Sequence, residues 1–136
     1  MADNRNLTMM TDLYELTMMQ GYFKNPTDQV VVFDAFYRNN PFNGGYAIAC
    51  GLEQVIDYIR NLHFAPEDIE YLRSLQLFDD DFLEYLRGFH FTGEIYAIPE
   101  GTVVFPREPL VKVVAPLMEA QFIEPALLNI INHQSL

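Results

Sequence analysis

The sequence predicts an α+β domain, and three observations carry that prediction. Apolar residues recur at helical spacing through residues 9–23, 52–88 and 117–136. Between these segments, β-branched and aromatic runs lie at 30–38 and from 92 to 114, punctuated by Pro and Gly. Half of the 136 residues are hydrophobic, with 11 Phe and 8 Tyr. That is enough apolar volume for one real core and too much for a disordered chain.

Each element has its own signal. In residues 9–23, Met9, Leu13, Leu16, Met19 and Phe23 fall near helical spacing, with Met10, Tyr14 and Met18 on an adjoining face. So wide an apolar face predicts a helix covered on more than one side, including by another subunit. Asp12 followed three residues later by Glu15 fits a capping box at its start. The Asn25-Pro26-Thr27-Asp28 stretch ends it. Val30 to Arg38 reads as a strand with Val31, Phe33, Ala35 and Tyr37 on one face, and Asn39 to Gly45 as a turn cluster.

Leu52, Val55, Ile56, Ile59 and Leu62 make an amphipathic helix. Pro66 suits the first position of the next helix, with Glu67 and Asp68 in its favourable first turn. Asp79-Asp80-Asp81 introduces Phe82, Leu83 and Leu86 in the same way, and Gly88 closes that helix. Three short strands are expected over 95–98, 102–105 and 110–114. Leu117 to Leu136 reads as helical, with Pro125 starting its second part rather than sitting inside one continuous helix. Leu127, Leu128 and Ile131 set a phase that stops at Ser135-Leu136 without a Gly, Pro or basic cap, the pattern expected of a fragment.

Composition narrows the chemistry. A formal charge of −11 argues against nucleic acid and anionic membrane surfaces, and the eight basic residues, Arg5 among them, make no patch in sequence. Cys50 is alone, so the chain has no intrachain disulfide and no thiolate cluster. The N-terminus lacks an apolar signal core and no apolar run reaches membrane-spanning length, so the expected location is the cytoplasm. No phosphate-binding GxxxxGK[ST] loop, GxGxxG turn or nucleophile elbow occurs. His63, His90 and His133 share no metal-ligand spacing. Asp79-Asp80-Asp81 suits helix capping or a divalent cation, and Asn43-Gly44-Gly45 a plain turn or a phosphate contact through backbone amides. Tyr14 reads either as a half-buried core tyrosine or as a stacking surface for a flat heteroaromatic ring.

The ordered blocks say more than the spacing. Thr11-Asp12-Leu13-Tyr14-Glu15-Leu16-Thr17-Met18-Met19-Gln20-Gly21-Tyr22-Phe23 resembles the opening signature of nicotinate phosphoribosyltransferases. Phe33 to Arg38 with Pro41-Phe42 is similar to the family's FxxFxRxxP block, and Gly44 to Glu53 to its GGYAIxxGLE block. Ile98 to Leu110 is similar to its proline-rich strand segment. Glu119 to Glu124 and Leu127 to Asn132 resemble the helix leading into its barrel.

This resemblance implies the amino-terminal α/β-hammerhead-like domain of a type II phosphoribosyltransferase, lacking the α/β barrel that follows. Residues 1–116 would be that α+β domain and 117–136 the helical segment leading into the barrel. The implied reaction joins nicotinate to phosphoribosyl pyrophosphate and releases pyrophosphate, with ATP and Mg, in a homodimer whose active site lies at the subunit interface. Tyr14 is the implied nicotinate-stacking residue, lent across that interface. The phosphate-gripping arginines and the phosphorylated histidine belong to the family's barrel, so no residue here is given a catalytic role, Asn132, His133 and Ser135 included. Arg38 is structural or approaches the active site. Alone, the chain is expected to be inactive. The rival readings are a stand-alone dimerisation or binding module and a quinolinate or nicotinamide phosphoribosyltransferase.

Overall fold

Strand β1 (Val30–Ala35) and strand β3 (Glu94–Ala97) both pair antiparallel with β5 (Val111–Pro116), giving a three-stranded sheet of order β1-β5-β3 in a computed structural model that describes residues 6–26 and 28–136. Arg5 and Thr27 lie outside the described residues. The register sets Val30 opposite Pro116, Phe33 opposite Val113 and Ala35 opposite Val111. The alternation read from the sequence holds: Val31, Phe33 and Ala35 turn inward, while Val30 and Val32 stay exposed. A second, two-stranded sheet joins β2 (Ala47–Ile48) to β4 (Val103–Val104). Strand β2 had no signal of its own, because two residues acquire strand identity only through a partner far along the chain.

Helices α2 (Leu52–Arg60), α3 (Pro66–Ser74) and α4 (Asp80–Arg87) fall where the amphipathic spacing placed them. Their inner faces supply Val55, Tyr58, Ile69, Leu72, Phe82, Leu83 and Leu86 to the core. Asp68 Oδ2 accepts the Ala65 N–H at 2.9 Å, the reach-back half of a capping box. At α4 the expected capping is partly different. Asp79 takes the cap position without a side-chain bond, pairs with Lys24 and gives its N–H to Gln20 Oε1 at 2.7 Å, whereas Asp81 accepts the Phe82 N–H.

Two corrections concern helices α1 (Leu13–Lys24) and α5 (Leu117–Ser135). Helix α1 starts at Leu13 rather than near Met9, and Asp12 makes no side-chain cap bond. The capping box fails because Glu15 is fully buried and turned toward α5. Helix α5 runs unbroken through Pro125. An internal proline costs about 3 kcal/mol. Against that, Phe122, Ile123, Leu127, Ile130 and Ile131 are all buried around it, each contributing roughly 1.5–3 kcal/mol. Packing outweighs propensity here.

Glycine matters at two contacts. Gly93 lies so close to β5 that a Cβ there would sit 2.6 Å from the Val114 carbonyl oxygen. Gly51, with φ +103°, begins α2 against the Ile130 carbonyl of α5. That junction is pinned further by Ser135, whose Oγ accepts the Cys50 N–H and donates to the Cys50 carbonyl. Among the described residues no helix is long and apolar enough to cross a membrane.

Candidate functional site

Two adjacent clefts flank β1, and Ala35 and Leu128 line both. The first, about 420 Å³, opens between α1, β1 and α5. The second, about 620 Å³, lies between the loop after β1 and the last turns of α5, with Arg38, Asn39, Asn129 and Asn132 among its polar lining. They differ in charge. The first holds Glu15, Asp34 and Glu124 with no basic residue; the second holds Arg38.

Tyr14 stands at the first cleft and is 53% exposed. The ring lies outside the fully buried core: α1 sends Leu16 and Met19 inward and leaves Leu13, Tyr14 and Met18 more exposed. Helical geometry explains the split, since Leu16 and Met19 lie three apart on one face while Tyr14 and Met18 lie four apart on another. Glu15 is buried between them, and its Oε2 accepts a hydrogen bond from the Gln121 side-chain amide. Its Oε1 is buried without a hydrogen-bond partner.

Electrostatics here run one way. The Tyr14 hydroxyl is pushed up to about 12, first by the adjoining Glu15 side chain, then by desolvation and by the charges of Glu15, Glu124 and Asp12. Glu124 is raised above its ordinary 4.5, chiefly by burial and then by Glu15 and Asp12. Spacing analysis missed Glu15, Gln121 and Glu124 as members of this site. Their signal was present: polar residues interrupting the apolar phase of two helices that face each other.

The other residues singled out from the sequence fall elsewhere. Exposed His63 and His90 use Nδ1 on the carbonyls of Asn61 and Gly88, and His133 is exposed on α5. Among the described residues no group of three His, Cys, Asp or Glu could hold a metal ion. Pro41–Asn43 forms a short 3₁₀ turn in which the Gly44 N–H is engaged by the Pro41 carbonyl at 2.9 Å, so that amide is not offered to a ligand. Phe42 and Asn43 both take φ 56°, and Phe42 is 88% exposed. Tyr37 ties this loop down, donating from its hydroxyl toward Asn40 Oδ1 and the Val104 carbonyl. The Arg107 backbone is held beside it as well, its N–H bonding the Tyr37 carbonyl at 2.8 Å.

Comparison with known proteins follows this geometry closely. Residues 9–132 match the family model described as the nicotinate phosphoribosyltransferase N-terminal domain. A nicotinate phosphoribosyltransferase of Mycobacterium tuberculosis is 44% identical over 127 residues, covering 93% of this chain and 27% of that protein. The Bacillus subtilis enzyme of the same name is 45% identical over 132 residues, with 96% and 27% covered. The crystal structure of human nicotinic acid phosphoribosyltransferase superposes with a TM-score of 0.80 at 34% identity, over 89% of this chain and 25% of that one. A nicotinate-nucleotide pyrophosphorylase from Pyrococcus furiosus shares the fold at TM-score 0.65 and 20% identity. The chain thus spans about a quarter of the length of the relatives it matches.

Proposed function

The chain belongs to the nicotinate phosphoribosyltransferase N-terminal domain family, and on that premise we propose that it serves as the amino-terminal domain of an enzyme that joins nicotinate to phosphoribosyl pyrophosphate. Residues 1–116 act as the α+β domain, and the helical segment 117–136 leads into a barrel that carries the phosphate chemistry. ATP with Mg drives the reaction there, and the working unit is a cytoplasmic homodimer. Tyr14 stacks on the nicotinate ring bound by the partner subunit.

The observation that carries this reading is the family match across 9–132, together with a tyrosine held outside the core at the first turn of α1. The acidic lining of the first cleft adds a constraint. Nicotinate is an anion, so its carboxylate points away from Glu15, Asp34 and Glu124 and toward basic groups outside this chain.

The experiment is pyrophosphate release from phosphoribosyl pyrophosphate, dependent on nicotinate and ATP, by the longer protein carrying this domain. Tyr14→Ala weakens nicotinate use by up to about tenfold through the lost stacking term alone, and the melting temperature stays within about a degree or two, as expected for an exposed side chain. A collapsed melting temperature with an unchanged KM for nicotinate refutes the stacking role. Absence of nicotinate-dependent turnover in the wild type refutes the function.

A further inference from the structure

The two outer strands of the three-stranded sheet are finished differently. Strand β3 has four residues and carries Glu94, the short and charged kind of edge that resists further pairing. Strand β1 has six residues, with neither lysine nor proline among them, in unbroken register against β5. Val30 is 64% exposed and Val32 56%.

The pairing identifies which backbone groups of β1 are left over. The Leu117 N–H bonds the Gln29 carbonyl at 3.1 Å, so these two residues form a hydrogen-bonded pair. Pro116, opposite Val30, has no N–H to give. Antiparallel ladders alternate, so Val31, Phe33 and Ala35 bond β5 in turn. Val30, Val32 and Asp34 therefore direct N–H and C=O outward, where no further strand is present among the described residues.

The cleft of about 420 Å³ runs along this same edge. Four consecutive residues of β1, Val32 to Ala35, line it, whereas a cleft over one face of a strand meets alternate ones. Its far wall is α5, where Ile123, Leu127 and Leu128 surround Glu124. Glu15, Asp34 and Glu124 give the lining charge of one sign. Lys112 stands opposite Asp34 on β5 but makes no ion pair among the described residues. Glu124 is raised above its ordinary 4.5 by burial first and then by Glu15 and Asp12, a repulsion that a nearby cation relieves.

We infer that the outer edge of β1 is a docking site for an extended segment of another protein, one whose side chains alternate between apolar and basic. The segment adds a fourth strand, taking its backbone bonds from Val30, Val32 and Asp34. Its apolar side chains lie beside Val30 and Val32 on the open face of the sheet. Its basic side chains enter the cleft, with stems along Leu127 and Leu128 and charged heads at Glu124. A second copy of this chain is a poor occupant, since at −11 it brings the same carboxylates against the cleft. The inference goes beyond the nicotinate reading and does not rest on it, because the pairing uses the β1 backbone and not the Tyr14 ring.

The test titrates the ¹⁵N-labelled 136-residue chain with the peptide acetyl-Thr-Val-Lys-Val-Arg-Val-Thr-amide. The amide signals of Val30, Val32 and Asp34 should shift and exchange more slowly with solvent, and added salt should weaken binding. The fully N-methylated peptide should bind at least about tenfold more weakly, having lost its strand hydrogen bonds. Glu in place of its Lys and Arg should weaken binding by about tenfold or more. Val32→Pro removes an outward N–H, a change that edge strands accept, and should abolish binding with the fold kept.

Silent Val30, Val32 and Asp34 amides at millimolar peptide overturn the proposal, and so does equal binding of the N-methylated form. Equal binding of the Glu peptide overturns it as well, because the cleft then does not recognise a cation. If Val32→Pro does not fold, the N-methylated peptide decides alone. If sedimentation shows the chain pairing with itself and Val32→Pro undoes that, the occupant is a second copy and the proposal falls.

Discussion

Two buried carboxylates, Glu119 and Glu15, both lie against α5 and differ in how completely they are bonded. Glu119, 8% exposed at the start of α5, takes the Thr92 N–H at 2.6 Å and the Thr92 hydroxyl at 2.9 and 3.1 Å. Both of its oxygens are satisfied, and it clamps the segment entering β3 onto the helix. Glu15, on α1 and bonded to Gln121 of α5, is more deeply buried and half satisfied. The difference sorts their roles. A fully bonded buried charge adds to the framework, whereas an under-bonded one is a local cost that the rest of the framework has to carry.

The sharpest way to break this contrast lies at the framework end. Gly93, next to Thr92, has no room for a side chain, since a Cβ would meet the Val114 carbonyl oxygen at 2.6 Å and Phe91 Cζ at 2.8 Å. Gly93→Ala should lower stability by about 3 kcal/mol through forced displacement of β5, read as a drop in the urea midpoint at unchanged m. Glu119→Ala comes next. Loss of the hydrogen bonds to a charged acceptor should cost about 2 kcal/mol, and amide exchange at Thr92 should accelerate with it. If either variant unfolds no more easily than the wild type, the clamp is not part of the framework.

At the other end the effects shrink. Glu15→Gln keeps the shape and removes a buried charge, so stability should change by less than about 1 kcal/mol in either direction. A loss as large as that of Glu119→Ala would erase the distinction drawn above. The smallest effect depends on pH. Glu124 has its folded value raised above 4.5, so the stability it contributes is present below 4.5 and lost as pH rises past the raised value. Glu124→Gln should therefore melt slightly higher than the wild type at pH 7, and the gap should close by about pH 4. A gap that widens on acidification reverses the sign and removes burial as the cause.

Much of the framework was legible in sequence, because its signals are local. The Val31/Phe33/Ala35 alternation and the Phe82/Leu83/Leu86 face each come from residues within one element. The errors came where distant chain decides. Pro125 looks like a break until Phe122, Ile123 and Leu127 are seen buried on either side of it. Asp12 and Glu15 have the spacing of a capping box, yet Glu15 answers Gln121, more than a hundred residues on. The candidate site suffers most from this, since its acidic cleft joins α1, β1 and α5 and no single window contains it. Tyr14 was found through its family block rather than its spacing, which alone left a core role open.

The sheet order carries a consequence for biosynthesis. The central strand β5 is last of the three in the chain, so β1 and β3 have no partner until it is made. About 80 residues separate β1 from its partner, which at ribosomal rates is on the order of 4–16 s of waiting. During that interval β1 is an unpaired strand whose one charge is Asp34, and its Val30 to Phe33 stretch is open to capture by a neighbouring nascent chain. Helices α3 and α4, which pack on each other across a short connection, can form before the strands pair, whereas α2 waits for α5. The emergence of Val111–Pro116 from the ribosome is thus the moment at which the sheet closes and this window of vulnerability ends.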